Sequence, residues 1–194
     1  MRYLFISPHV DDSELMAGGM IARLVEEGHD VKVLTLSQRY DGIDLSGEWM
    51  QAMNALRVTN FEAFDFETRM FHKHSNEILQ AFFKRQDYDF YVIPSIHDMH
   101  SDHEVTAKQA IRAFKHKNII SWMPEWNGRA FIKNYFVKLE SRHVMKKLNA
   151  LGCYKSQADR LYFNQDIIVS QMKINGMMAN CEYAEAFQAV NLLV

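Results

Sequence analysis

Tyr3-Leu4-Phe5-Ile6-Ser7-Pro8-His9-Val10-Asp11-Asp12, running on into Ser13-Glu14-Leu15-Met16-Ala17-Gly18-Gly19, is the stretch whose reading decides the fold. Tyr3 to Ile6 is an apolar run that reads as a buried strand, and a proline bounds it. A helical pattern follows, with Leu15, Ile21, Leu24 and Val25 near one face and Gly28 as a stop. One histidine and two aspartates therefore sit where a strand ends and a helix begins. In an open α/β sheet, ligands bind at that place. A turn would point His9 and Asp12 toward one spot, with Asp11 between them. Imidazole with carboxylate is a ligand set that suits zinc or a similar divalent ion. Helix capping is the competing reading: Asp11, Asp12 or Ser13 would simply accept the first backbone N–H groups.

Outward from this stretch, Val31-Lys32-Val33-Leu34-Thr35-Leu36-Ser37 is a second strand, so the chain opens β-α-β with parallel neighbours. The pattern is Rossmann-like, but there is no G-x-G-x-x-G. Gly18-Gly19 lies inside the helix, where it allows close helix–sheet packing rather than dinucleotide binding. Gln38-Arg39-Tyr40-Asp41-Gly42 follows the second strand, and a loop here borders the site. Residues 48–56 and the run from Ser75 through Ile78, Leu79, Phe82 and Phe83 read as helices. Phe90-Tyr91-Val92-Ile93-Pro94 is near-continuously apolar, as a central parallel strand should be.

Directly after it comes Ser95-Ile96-His97-Asp98-Met99-His100-Ser101-Asp102-His103-Glu104, and then a helix to about Phe114. The opening pattern has recurred: strand, histidines and aspartates, helix start. On neighbouring strand ends the two clusters would face each other across a cleft. A catalytic zinc needs three such ligands and one open position. Further on, residues 118–122 and 135–139 read as strands and 141–151 and 166–178 as helices, the last stopped near Gly176 or Asn180. Residues 183–187 are expected to fold back onto the sheet.

The whole chain, 1–194, is one domain by length, and 48% hydrophobic residues suffice for one core. A net charge of -2 excludes a bulk basic field for nucleic acid or an anionic membrane. No apolar run reaches the length of a membrane span. Cys153 and Cys181 are the two cysteines and form no C-x-x-C, which argues against a disulfide framework or a cysteine zinc site. With no charged-then-apolar leader at the N-terminus, a cytoplasmic location is expected.

With both clusters quoted, the chain resembles the PIG-L/LmbE family of zinc-dependent N-acetyl-sugar deacetylases. That family's first motif, usually H-P-D-D, stands here as His9-Val10-Asp11-Asp12 with Glu14 and Gly18-Gly19 after it. The second, H-P-D-H, stands as His100-Ser101-Asp102-His103. Lys155-Ser156-Gln157 and Gly176…Tyr183-Ala184-Glu185-Ala186-Phe187 match later features. The resemblance implies a Rossmann-like, mostly parallel α/β sheet with helices on both faces. It implies His9, Asp12 and His103 as metal ligands and Asp11 as general base. It implies His100 as the group that stabilises the oxyanion or protonates the leaving amine, with Asp102 as its orienting partner. Val10 and Ser101 replace the usual prolines, which removes rigidity but no functional group. The arginine that often holds substrate before the second helix has no counterpart among residues 44–48.

The chemistry is consistent with these residue types. Zinc lowers the pKa of water to about 7 and polarises an amide carbonyl. Asp11 can take the attacking water's proton, and a protonated His100, its pKa raised by Asp102, can meet the oxyanion. Other assignments compete: His97 and Asp98 as ligands in place of His100 or Asp12, and Asp102 as a mere N-cap. Arg39, Tyr40, Arg69 and Trp126 are candidate contacts for a small N-acetylated sugar, each also readable as a packing or surface residue. Glu185 reads either as reaching the site or as a solvated charge. His72, His74, His116 and His143 read as surface residues. Two further functions stay open: a metal-dependent hydrolase of another bond such as a phosphoester, and a non-catalytic sugar-binding or assembly protein. Members of the family often assemble, so a homo-oligomer is one reading, and the oligomeric state stays open.

Overall fold

The computed structural model of the chain describes residues 1–40, 42–128 and 130–193. In chain order the elements are β1 (Arg2–His9), α1 (Asp12–Glu26), β2 (Asp30–Ser37), β3 (Arg39–Tyr40), β4 (Ile43–Asp44), α2 (Ser46–Leu56) and β5 (Asn60–Ala63). There follow α3 (Ser75–Phe83), β6 (Phe90–Pro94), α4 (Ser101–Phe114), β7 (Asn118–Trp122), β8 (Tyr135–Leu139), α5 (Ser141–Leu151), α6 (Gln165–Met178) and β9 (Tyr183–Asn191). Seven strands form one sheet in the order β5-β2-β1-β6-β7-β9-β8, and β3 pairs with β4 outside it. From β5 to β7 every pairing is parallel; β9 runs antiparallel to both β7 and β8. The expected mostly parallel α/β architecture is the one observed. No helix among the described residues is long and apolar enough to cross a membrane.

Strand alternation sorts the core into two layers. Tyr3 and Phe5 of β1 face α1, α2, α5 and α6 and pack with Ile21, Trp49, Val144 and Met172. Leu4 and Ile6 face α3 and α4 and pack with Ile78, Phe82, Ala110 and Phe114. Burying side chains of this size stabilises by about 1.5–3 kcal/mol each. Gly19 shows why α1 lies so close to the sheet. A Cβ there would come within 3.0 Å of the Leu139 side chain on β8. α6 ends at Met178, as expected near Gly176 or Asn180: Asn180 stands at φ 52, and Gly176 lies in the helix's last turn. A Cβ on it would lie within 3.0 Å of the carbonyls of Cys181 and Glu182, so glycine is needed for the turn into β9 to fold back. The segment expected to return to the sheet does so as β9.

The topology makes the site. From β1 the chain moves outward to β2 and β5, then returns to lay β6 on the other side of β1. Strand order reverses between β1 and β6, so the loops after their carboxyl ends diverge and leave a crevice. The two histidine–aspartate clusters are the residues at those two ends.

Candidate active site

β1 continues through Pro8 to His9, so His9 is the last strand residue rather than part of a loop. Asp11 follows at φ 85, in left-handed space that costs a non-glycine residue free energy and that aspartate tolerates better than most. Capping does not account for the two aspartates. Asp11 makes no side-chain cap bond. The Asp12 carboxylate accepts from the His9 backbone N–H at 2.9 Å, behind the helix start. Ser7 does the capping work: its hydroxyl accepts from Ser13 N–H at 3.0 Å and donates to the His9 carbonyl at 2.6 Å.

On the other side, His100 is the N-cap of α4, its Nδ1 accepting from the Asp102 backbone N–H at 3.2 Å. The carboxylate of Asp102 is therefore not a cap. Nor does it orient His100, as expected. Its Oδ2 bonds His9 Nε2 at 2.9 Å and accepts from Arg69 N–H at 2.6 Å, and its Oδ1 accepts from Phe71 N–H at 3.3 Å. Because Nδ1 of His100 accepts, its proton sits on Nε2. Burial, then the neighbouring His103 and His9, pull the pKa of His100 below its usual value. That direction is opposite to the rise expected from Asp102 and favours a neutral ring with one N–H to give. Asp98, weighed as a spare ligand, is fully engaged: Oδ1 accepts from His100 N–H at 2.8 Å and Oδ2 bonds His103 Nδ1 at 2.7 Å. His97 is exposed.

These braces leave one nitrogen of each ring pointing at Asp12. His9 Nδ1 lies 3.4 Å and His103 Nε2 3.3 Å from Asp12 Oδ2. Ligands of a tetrahedral zinc, with bonds of about 2.0–2.1 Å, stand about 3.3 Å apart along each edge. His9, Asp12 and His103 therefore fit such an ion, as their mutual spacing allows. A carboxylate on the far nitrogen of each ligating histidine is also the usual outer arrangement of a zinc site. His9, His100 and Asp102 form a second close group, but the Asp102 carboxylate in it is occupied by His9 and two backbone N–H groups.

The charges agree with this arrangement. Burial would raise the Asp12 carboxyl, yet His103 and His9 hold it far below the ordinary carboxylate range. Burial would lower His103, yet Asp12 and Asp98 push it up to about 10. A metal must displace that proton to bind. Asp11 moves the other way: burial, then the charges of Asp12 and Glu14, push its pKa well above the usual value, against Arg160. Glu14, buried in the first turn of α1, is raised by burial to about 7 even though it accepts from the Tyr154 hydroxyl at 2.5 Å.

A cleft of about 320 Å³ opens over this cluster, near the lower end for small-molecule sites. His9, Asp11, Asp12, His100 and His103 line it, and so do all four candidate sugar contacts, Arg39, Tyr40, Arg69 and Trp126. Arg39 is held outward by Asp65, both of its Nε contacts being 3.1 Å. Asp41, in the same loop, lies outside the described residues. Arg69 stands at φ 68 and braces Asp102 through its backbone. Sequence reasoning missed Arg160 and Tyr162. The Arg160 guanidinium lies 4.2 Å over the Tyr40 ring and donates to the Tyr162 hydroxyl, while Tyr162 stacks on Trp126 at 4.7 Å. The basic-aromatic run Arg160-Leu161-Tyr162-Phe163 was the available signal. Glu185 does not reach the cluster; it is buried, ion-paired with Lys147 at 2.6 Å, and accepts from Gly19 and Met20 N–H. His143, read as a surface residue, is buried at the start of α5, where it accepts from Glu140 N–H.

Comparison with known proteins separates what the fold shows from what the motifs show. The chain is 17% identical to N,N'-diacetylchitobiose deacetylase from Pyrococcus horikoshii, covering 96% of this chain and 82% of that one with a TM-score of 0.78. It is 20% identical to the 4-carboxy-2-hydroxymuconate hydratase of Pseudomonas putida, covering 100% and 98% with a TM-score of 0.77. At such identity these likenesses show the fold alone. A 48-residue match, 42% identical, joins the chain to the 1D-myo-inositol 2-acetamido-2-deoxy-alpha-D-glucopyranoside deacetylase of Gordonia bronchialis; it spans 25% of this chain and 17% of that relative. The model of the GlcNAc-PI de-N-acetylase family matches residues 4–114, which hold both histidine–aspartate clusters and the strands that present them. The chain belongs to the GlcNAc-PI de-N-acetylase (PIG-L) family.

Proposed function

We propose that this chain removes the acetyl group from a small N-acetylated sugar or glycoconjugate, with a zinc ion held by His9, Asp12 and His103. Bound zinc supplies a water of lowered pKa and a polarised amide carbonyl. Asp11 is the carboxylate beside the ligands that braces no histidine and caps no helix. A carboxylate in that place can take the attacking water's proton and hold it until the amine leaves. His100, neutral with its proton on Nε2, donates a hydrogen bond to the oxyanion as it forms. Asp11 then gives its proton to the departing nitrogen, so one group serves as base and acid in turn. Asp98 and Asp102 hold a proton on the far nitrogens of His103 and His9 and aim the other nitrogens at Asp12, ready to ligate once a metal displaces any proton there. Tyr40 with Arg160, and Trp126 with Tyr162, offer flat walls to a sugar ring.

The observation that carries this reading is the pair of ring nitrogens 3.4 and 3.3 Å from one Asp12 oxygen, each ring tied from behind by a second carboxylate. A shared fold does not choose the bond, since a hydratase has it too. The family match across both clusters favours the amide. Phosphoester hydrolysis with a second metal loses support, because Asp98 has no oxygen to spare. The test is Asp11→Asn, assayed by acetate release over a panel of N-acetylated sugars and by metal content. Zinc is expected to stay at one per chain while turnover falls by about 10²–10⁴. Undiminished acetate release by this variant would remove Asp11 from the reaction, and no acetate from the unaltered protein on any sugar would remove the deacetylase reading.

A further inference from the structure

Behind the Trp126–Tyr162 stack lies a second cavity, of about 130 Å³, that takes no part in the chemistry above. We propose that it is a subsite for an apolar, phenyl-sized group carried by the substrate; this rests on the reading of the cleft as a sugar site. Three observations support it. The first is position. Leu15, Trp126 and Tyr162 line both the cleft and this cavity, so a substituent leaving the sugar on that side meets it.

The second is size and surface. An apolar cavity of about 150 Å³ takes one benzene ring, and this one is walled largely by Leu15, Met16, Met123, Ile168 and Met172. Methionine side chains adapt their shape to an incoming ring. At the rim, Trp126 is 48% and Ile167 44% exposed, an apolar mouth that a soluble chain does not need for packing.

The third is charge. Every charged side chain in the wall, among the described residues, is already paired: Lys147 with Glu185, and Glu125 with Lys133. Glu185 also takes two backbone N–H groups, and the Asn175 carbonyl accepts from Lys133 and Gln171. Among the described residues the wall therefore has no unpaired charge for a phosphate or carboxylate, and the occupant is neutral and apolar.

The experiment compares phenyl β-D-glucoside with methyl β-D-glucoside, neither of which carries an acetamide, by titration calorimetry on the zinc-loaded protein. The phenyl glycoside is expected to bind about tenfold tighter or better. Ala186→Phe fills the cavity from the sheet and Ile167→Trp covers it from the rim; each is expected to bring the ratio near one, with circular dichroism reporting folding. Two variants acting from opposite sides keep the test decisive if one fails to fold. Equal binding of the two glycosides, binding of neither, or a preference that survives both variants overturns the subsite. Acetate release from phenyl and methyl N-acetylglucosaminides reads the other reading separately. A phenyl preference in binding with no acetate from these or any other sugar of the panel sinks the deacetylase and leaves the subsite, whereas acetate from both at equal kcat/KM, with equal binding, sinks the subsite alone.

Discussion

His9 and His103 are each braced by a carboxylate, but by different routes. Asp98 reaches His103 within five residues, on one loop and the first turn of one helix. Asp102 reaches His9 across 93 residues, from α4 to the end of β1. The first brace can form as soon as α4 does. The second exists only when β1 and β6 lie side by side. Asp102 also accepts from the backbone of Arg69 and Phe71, so three separate chain segments meet on one buried carboxylate. The local brace sets one ring; the distant one ties assembly of the sheet to assembly of the ligand set.

Removing each brace tests that difference. Asp102→Ala strands two backbone N–H groups and the His9 ring, and is expected to cost about 3–5 kcal/mol of stability. Its zinc affinity, read by competition with a chelating dye, should fall about 100-fold, the upper end for outer carboxylates. Asp98→Ala should lose about tenfold in zinc affinity and distinctly less stability. Equal losses in the two variants would mean that the cross-chain brace does nothing the local one does not.

The helices behind the two clusters differ as well. Glu14 on α1 is fully buried, with one oxygen bonded to Tyr154 and the other without a partner among the described residues. Its folded-state pKa is raised from 4.5 to about 7 by burial. Below pH 4.5 the acid is protonated whether folded or unfolded. Between there and pH 7 the unfolded chain ionises it and the folded chain does not, so stability falls as pH rises, then levels off. Glu14→Gln keeps an acceptor for Tyr154 and cannot ionise. Between pH 5 and 8 the natural chain is therefore expected to lose about 2–3 kcal/mol relative to the variant in urea unfolding. Parallel pH profiles would show that Glu14 is not the buried acid described.

What the sequence revealed follows from how local each signal is. The β-α-β opening, the apolar β6 and the six clustered residues were legible because strand ends and helix starts are written in adjacent residues. The partner of Asp102 was not. It stands beside His103 and two residues from His100, and nothing local points to His9. Asp98 looked like a spare ligand because type and spacing do not distinguish a carboxylate that holds a metal from one that holds the histidine. Arg160 and Tyr162 join the cleft through packing of the segment before α6, which periodicity does not register. His143 was misread for the same reason: a buried polar cap depends on what lies opposite.

The smallest expected effect completes the contrast between the helices. Glu104 sits in the first turn of α4, as Glu14 does in α1, but it is 45% exposed and pairs with Lys108 at 2.6 Å, one turn on. An exposed pair of this spacing contributes about 0.3–0.5 kcal/mol, and salt screens it. Glu104→Gln is therefore expected to shift the urea midpoint barely, to lose even that shift in high salt, and to leave zinc affinity where it was. A loss above about 1 kcal/mol would place a structural demand on the start of α4 like that on α1. The contrast between a buried Glu14 on α1 and an exposed, lysine-paired Glu104 on α4 would then not hold.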